Sequence, residues 1–260
     1  MASHLMEQIR AFRPRQGTVG IWWLGQMGYI FKSPAGATLG IDLYLTDSCA
    51  DLEPPLDLRR RVPVLIPPEQ LELDVFACTH NHQDHTDPET IRALACKQVT
   101  QFLGPPPSCE VFRREGVPDS RITMMWPGAR HRFADVSLRA TFALPTDAGD
   151  LNHLGYLIEF EEGPSVYLTG DTAWHELVGE AAPSRPDILI TCINGGFANL
   201  SHWEAAGLAA RIQPRVAIPC HYDLFADNAA DPRQFRAALA ARAPSVRYRQ
   251  LEHGELWVFP

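Results

Sequence analysis

Apolar and polar positions alternate in short runs through the first third of the chain, over residues 20–24, 28–31 and 38–43. Gly25-Gln26-Met27 and Ser33-Pro34-Ala35-Gly36 separate them. Short extended runs broken by glycine and proline predict strands joined as an antiparallel meander. A proline-studded stretch over 49–68 is too irregular for a hairpin and predicts a loop over a functional mouth. An apolar run at 75–79 then ends directly in a cluster of histidines. Further strand-like runs lie at 101–103, 121–125, 136–144, 156–160, 165–168, 188–192, 216–219 and 255–258. Val136, Leu138, Ala140, Phe142 and Leu144 share one face, so that strand buries one side and wets the other.

Helices are expected over 91–97, behind Asp87 as N-cap and Pro88 at the first helical position, and over 109–115, 201–212 and 232–243. Ser201 with Glu204 three residues on forms a capping box. Strands come first and then alternate with helices in both halves of the chain. That rhythm predicts an α/β protein, a four-layer αββα sandwich whose two central sheets are covered by helices on their outer faces. No linker or low-complexity tract interrupts it, so residues 1–260 are expected to form a single domain.

The chain has 260 residues, 45% of them hydrophobic, enough for a large core without disulfides. Its formal charge of −8 disfavours nucleic acid and anionic membranes as partners. The one basic run, Arg59-Arg60-Arg61, reads as a solvated face or a contact for a small anion. No apolar run approaches the roughly 18 residues of a membrane span, and no secretory leader is evident. A cytoplasmic protein is therefore expected, with a small molecule as partner and self-association left open. The six cysteines lack C-x-x-C spacing, which predicts reduced, buried thiols. Met6 follows so soon after Met1 that the opening residues read as an added leader, and His4 is set aside.

The chemistry concentrates in His80-Asn81-His82-Gln83-Asp84-His85, four potential metal ligands within six residues at a strand end. Neutral imidazoles and a carboxylate converging from one turn suit divalent transition metals. Adjacent positions reach two ions a few ångströms apart more easily than one.

This H-x-H-x-D-H string resembles the signature of the metallo-β-lactamase fold. Further strings are similar to the branch containing L-ascorbate-6-phosphate lactonases. They are Trp23-Leu24-Gly25-Gln26-Met27-Gly28-Tyr29, Ile41-Asp42-Leu43-Tyr44-Leu45, Cys78-Thr79-His80, Thr169-Gly170-Asp171-Thr172, Asn194-Gly195-Gly196 and Pro219-Cys220-His221-Tyr222-Asp223. The likeness runs over residues 19–226. It implies that His80 and His82 hold a first metal, that Asp84, His85 and His221 hold a second, and that Asp171 bridges them. The third ligand of the first metal falls to Asp147, preferred over His153. A carboxylate there would favour manganese relative to zinc. Asp42 would orient a ligating histidine.

The resemblance also raises Asn194 and Tyr222 as substrate contacts. Trp174, His175 and His202 are near ligand positions in sequence, and Arg59–Arg61 or Arg113-Arg114 are candidates for a phosphate. The chemistry implied is hydrolysis by a metal-activated water, with Asp84 as catalytic residue. The expected substrate is a small polar lactone, including phosphorylated sugar-derived ones. A phosphodiesterase or ribonuclease of the same fold and a non-catalytic ligand-binding relative are the alternatives.

Overall fold

The computed structural model describes residues 4–52, 56–146 and 151–260. In chain order its strands are β1 (Val19–Gly25), β2 (Gly28–Lys32), β3 (Thr38–Ile41), β4 (Val75–Ala77), β5 (Gln101–Gly104), β6 (Ile122–Met124) and β7 (Arg130–Phe133). They continue as β8 (Val136–Phe142), β9 (Leu154–Phe160), β10 (Ser165–Leu168), β11 (Ile188–Cys192), β12 (Val216–Cys220), β13 (Arg247–Tyr248) and β14 (Leu256–Phe259). The helices are α1 (His4–Ala11), α2 (Pro88–Ala93), α3 (Pro106–Arg114), α4 (His202–Ile212) and α5 (Pro232–Arg242).

The strands build two seven-stranded sheets, ordered β14-β1-β2-β3-β4-β5-β6 and β13-β12-β11-β10-β9-β8-β7. In the first, β14 to β3 pair antiparallel and β3 to β6 parallel. In the second, β7 to β10 pair antiparallel and β10 to β13 parallel. The repeated rhythm of the chain is thus a repeated sheet plan.

Alternation along β1 sends neighbouring tryptophans to opposite faces. Two faces follow from that: Trp23, with Tyr29 and Phe31, shares one core with Leu138, Tyr156 and Ile158 of the second sheet, whereas Trp22 joins Ile30, Phe76 and Phe102 in a separate core with Ile91 of α2 and Phe112 of α3. Truncating either tryptophan to alanine removes a fully buried ring, a loss of about 3–5 kcal/mol. Leu208 and Ile212 of α4, with Phe235 and Leu239 of α5, cover the second sheet. Each sheet therefore has helices outside it.

Some expectations are corrected. Met6 and Ile9 of α1 are buried against the first sheet, so the residues from His4 onward belong to the packed fold. Helix α2 starts at Pro88 but stops at Ala93, where Leu94 turns to an extended ψ of 123°. The short strands β7 and β13 add to the strands expected from the sequence. Among the described residues no helix is long and apolar enough to cross a membrane. All six cysteines are free.

Candidate metal centre

Parallel strands present their carboxyl ends along one edge of a sheet, where open α/β sheets bind ligands, and here strand ends of both sheets supply the cluster. Asp42 follows β3, His80 follows β4, Asp171 follows β10 and His221 follows β12. His153 precedes β9, which runs the opposite way to β10 and so begins at the same edge. The Leu154 amide donates to Thr79 O at 2.9 Å, which stitches the start of β9 to the exit of β4.

Three of the chain reversals at this edge use left-handed backbone: Gln26 (φ 49°), Asp42 (φ 48°) and His221 (φ 58°). Non-glycine residues in that region cost on the order of 1–3 kcal/mol each and persist where function or packing holds them. The His221 amide donates to Gln26 O at 3.1 Å, so two of these turns brace each other. Gly170 also has positive φ, and a Cβ there would lie 2.3 Å from Leu154 O. Only glycine lets Asp171 approach the histidine turn this closely.

The side chains converge in three overlapping groups: His80, His82 and His153; His80, His85 and Asp171; Asp84, His85 and His221. Within each group the potential ligand atoms lie within 4.8 Å of one another. The His80 and His153 rings stack at 4.0 Å, and His80 and His82 are 4.4 Å apart edge to face. His221 Nε2 is 3.2 Å from Asp171 Oδ2 and 3.5 Å from Asp84 Oδ2.

The outer nitrogens are held by other residues. His85 Nδ1 donates to Asp42 Oδ2 at 2.8 Å, which turns Nε2 toward Asp84 and Asp171. Asp42 is fully buried and also accepts from the Thr79 amide and hydroxyl at 2.7 and 2.6 Å. With its proton committed to Asp42, the Thr79 hydroxyl accepts from His80 Nδ1 at 3.0 Å and leaves His80 Nε2 facing the cluster. Among the described residues, His80 Nε2 and Asp171 Oδ1 are buried with no hydrogen-bond partner. Such orphaned acceptors are costly unless a cation or water meets them, so the donor set fits a divalent metal.

The charges balance within the cluster. Burial works against ionising Asp84 and Asp171, yet the cationic partners His85 and His221 hold both carboxyls below the usual range. Burial likewise opposes protonation of His221, but Asp171 and Asp84 push it up to about 9, and His85 is raised by Asp84, Asp171 and Asp42. His80 lies lower than usual through burial and the neighbouring histidines His85 and His153.

The structure places His80, His82, Asp84, His85, Asp171 and His221 in one cluster together with His153, the alternative to Asp147. Asp147 lies outside the described residues. Asn194 and Tyr222 do not line the cavity above the cluster. Asn194 donates to Asn228 Oδ1 at 2.6 Å, and Asn228 in turn is 3.3 Å from His221 Nδ1. Tyr222 is buried against Trp23, 5.2 Å between rings. Trp174, His175 and His202 are also outside the lining, and the His175 ring accepts from the Leu177 amide at 3.1 Å. Sequence reasoning missed Gln26, whose Nε2 donates to Asp84 Oδ2 at 2.9 Å, and Asn199, whose Nδ2 donates to Asp171 Oδ2 at 2.8 Å. The Gly25-Gln26 turn was visible as a motif, but its distant partner was not.

The family model for the beta-lactamase superfamily domain matches residues 43–222. A UPF0173 metal-dependent hydrolase from Anaeromyxobacter sp. is 26% identical, the match covering 92% of this chain and 86% of that one. A probable L-ascorbate-6-phosphate lactonase, UlaG, from Salmonella gallinarum is 24% identical over 95% of this chain and 81% of its own. Among solved structures, a metallo hydrolase from the archaeon Ignicoccus hospitalis superposes with a TM-score of 0.74 at 20% identity, covering 94% of this chain and 99% of that one. The chain belongs to the metallo-β-lactamase superfamily, in its UlaG-like branch. It is a metal-dependent hydrolase of that fold.

Proposed function

We propose that this hydrolase is binuclear and opens the ring of a small lactone or related cyclic ester. The observation that carries the reading is the overlap of the three donor groups, which share first His80 and then His85. His80, His82 and His153 would hold one divalent cation, Asp84, His85 and His221 the other, with Asp171 between them. Asp147 is the competing ligand for the first position. Imidazole mixed with carboxylate suits zinc or manganese. The likeness to the probable L-ascorbate-6-phosphate lactonase of Salmonella supports a lactone as substrate, and the six free cysteines support a reducing, cytoplasmic setting.

Bound there, the cations would supply Lewis-acid activation of a water molecule and steady the charge that grows on the ester oxygen. Asp84 lines a cavity of about 410 Å³ above the cluster, together with His82, Asp171 and His221. Its carboxylate would orient the attacking water and receive its proton, while His85 and His221 serve the metal as neutral imidazoles. Gln26 holds Asp84 Oδ2 in place, and Asp42 fixes the His85 ring. The ring opens as the ester C–O bond breaks and the leaving oxygen takes up that proton.

The test is a hydrolysis panel of lactones, lactone phosphates and phosphodiesters on protein loaded with manganese or zinc. Ring opening of a lactone that Asp84→Asn abolishes is the expected result. Preferential cleavage of a phosphodiester, or lactone turnover unchanged in Asp84→Asn, contradicts the proposal.

A further inference from the structure

A substrate entering the cavity meets an apolar, uncharged wall. Leu52 and Leu58 from the 49–68 loop, Phe225 beyond β12, and Phe197 between β11 and α4 form it over the polar floor. Among the described residues lining the cavity there is no lysine or arginine. The undescribed internal segments 53–55 and 147–150 contain none either.

Of the basic residues that the sequence offered for a phosphate, none lines the cavity, and Arg60, Arg113 and Arg114 are engaged elsewhere. Arg60 donates through Nη1 to Tyr44 O at 2.7 Å and through Nε to Val62 O at 3.1 Å, with its guanidinium 5.1 Å above the Tyr44 ring. Arg113 pairs with Asp119 and Arg114 with Glu115. A phosphorylated arm extending from the reacting carbonyl would therefore find no charge-assisted donor on this wall.

Phe197 adds a second observation. It and Ala198 both adopt left-handed backbone, φ 52° and 59°. A bulky residue there is a conformational outlier. Its side chain remains 49% exposed while lining the cavity, so burial in the core does not account for its placement. The next residue, Asn199, closes the turn by donating its amide to Gly196 O at 2.9 Å and reaches Asp171 with its side chain. The strained turn therefore stands the Phe197 ring at the mouth, anchored directly to a metal-site carboxylate.

We propose that the substrate carries an uncharged apolar arm, alkyl or aryl, that seats among Leu52, Leu58, Phe197 and Phe225 beside the reacting carbonyl, and that phosphorylated arms are rejected. The placement of the carbonyl rests on the hydrolase reading above; the preference for the arm rests on the wall.

The test uses the metal-loaded full chain and γ-lactones bearing n-alkyl arms of increasing length, against a sugar lactone phosphate. The matching γ-lactams, which keep ring and arm but resist opening, are titrated by calorimetry. Affinity and kcat/KM should rise up to about fourfold for each added methylene until the wall is filled. The phosphate compound should bind no better than the unsubstituted ring. Phe197→Ala should flatten the dependence on chain length, and Leu58→Arg should shift binding toward the phosphate. Lactam affinity indifferent to arm length, or tighter binding of the phosphate by the unaltered protein, overturns the proposal. Length-dependent lactam binding without turnover of any lactone supports the apolar arm and removes only the lactonase reading.

Discussion

The Gln26 carboxamide donates a 2.9 Å hydrogen bond to Asp84 Oδ2 from a turn 58 residues away in sequence. The same residue accepts the His221 amide and the Trp23 indole on its main-chain oxygen. Gln26 is fully buried, so its side chain is a fixed strut between two ligand-bearing turns.

Gln26→Ala keeps the main-chain contacts and a non-glycine residue at positive φ, and removes only the strut. Losing an orienting partner of a metal-site ligand typically costs about 10–100-fold in metal affinity or activity. The variant should show kcat reduced within that range, with its melting temperature close to that of the parent. Unchanged kcat would show that Asp84 does not depend on this bond.

Asp42→Asn tests the orientation of His85. Asparagine preserves the shape of a fully buried residue and tolerates left-handed backbone, but it replaces the carboxylate that fixes the His85 tautomer. Competition with a chromogenic chelator should read metal affinity about 10–100-fold weaker. Equal affinity would remove Asp42 from the centre.

His153 and Asp147 compete for one role. The His80–His153 stacking predicts that His153→Ala loses half the bound metal, whereas Asp147→Ala keeps it. Elemental analysis of the two purified variants decides between them. The reverse result restores Asp147 as ligand.

Gly170→Ala should destabilise the fold by about 2–3 kcal/mol, since the new Cβ meets the Leu154 carbonyl at 2.3 Å and φ is 64°. Chemical denaturation measures the change. A shift within experimental scatter would mean that the Asp171 turn relaxes freely.

Much of the plan was legible in the chain because local chemistry and tertiary structure agree. Ser201 and Glu204 form the capping box, and α4 begins at His202 as that box requires. The histidine string lies where β4 ends, facing Asp171 and His221 at the strand ends of the other sheet. Strand β7 was illegible because Arg130-His131-Arg132 carries no apolar run; it is an exposed sheet edge, where charged side chains discourage pairing with other chains. The opening residues through Met6 read as an added leader, although the Met6 side chain is buried in α1. His153 and Asp147 both follow β8 in sequence, so only the stitch between Leu154 and Thr79 shows His153 beside His80. Gln26 and Asn199 were missed for the same reason: each acts on a ligand far away in the chain.

The central claim is that two adjacent cations are gripped by one continuous set of side chains. Its most direct test is the number of zinc or manganese ions bound per chain, titrated by calorimetry into chelator-treated protein and checked by elemental analysis. The account predicts saturation at two ions per chain, with Asp171→Ala weakening both. Saturation at a single ion that Asp84→Ala or His221→Ala leaves undisturbed would contradict it.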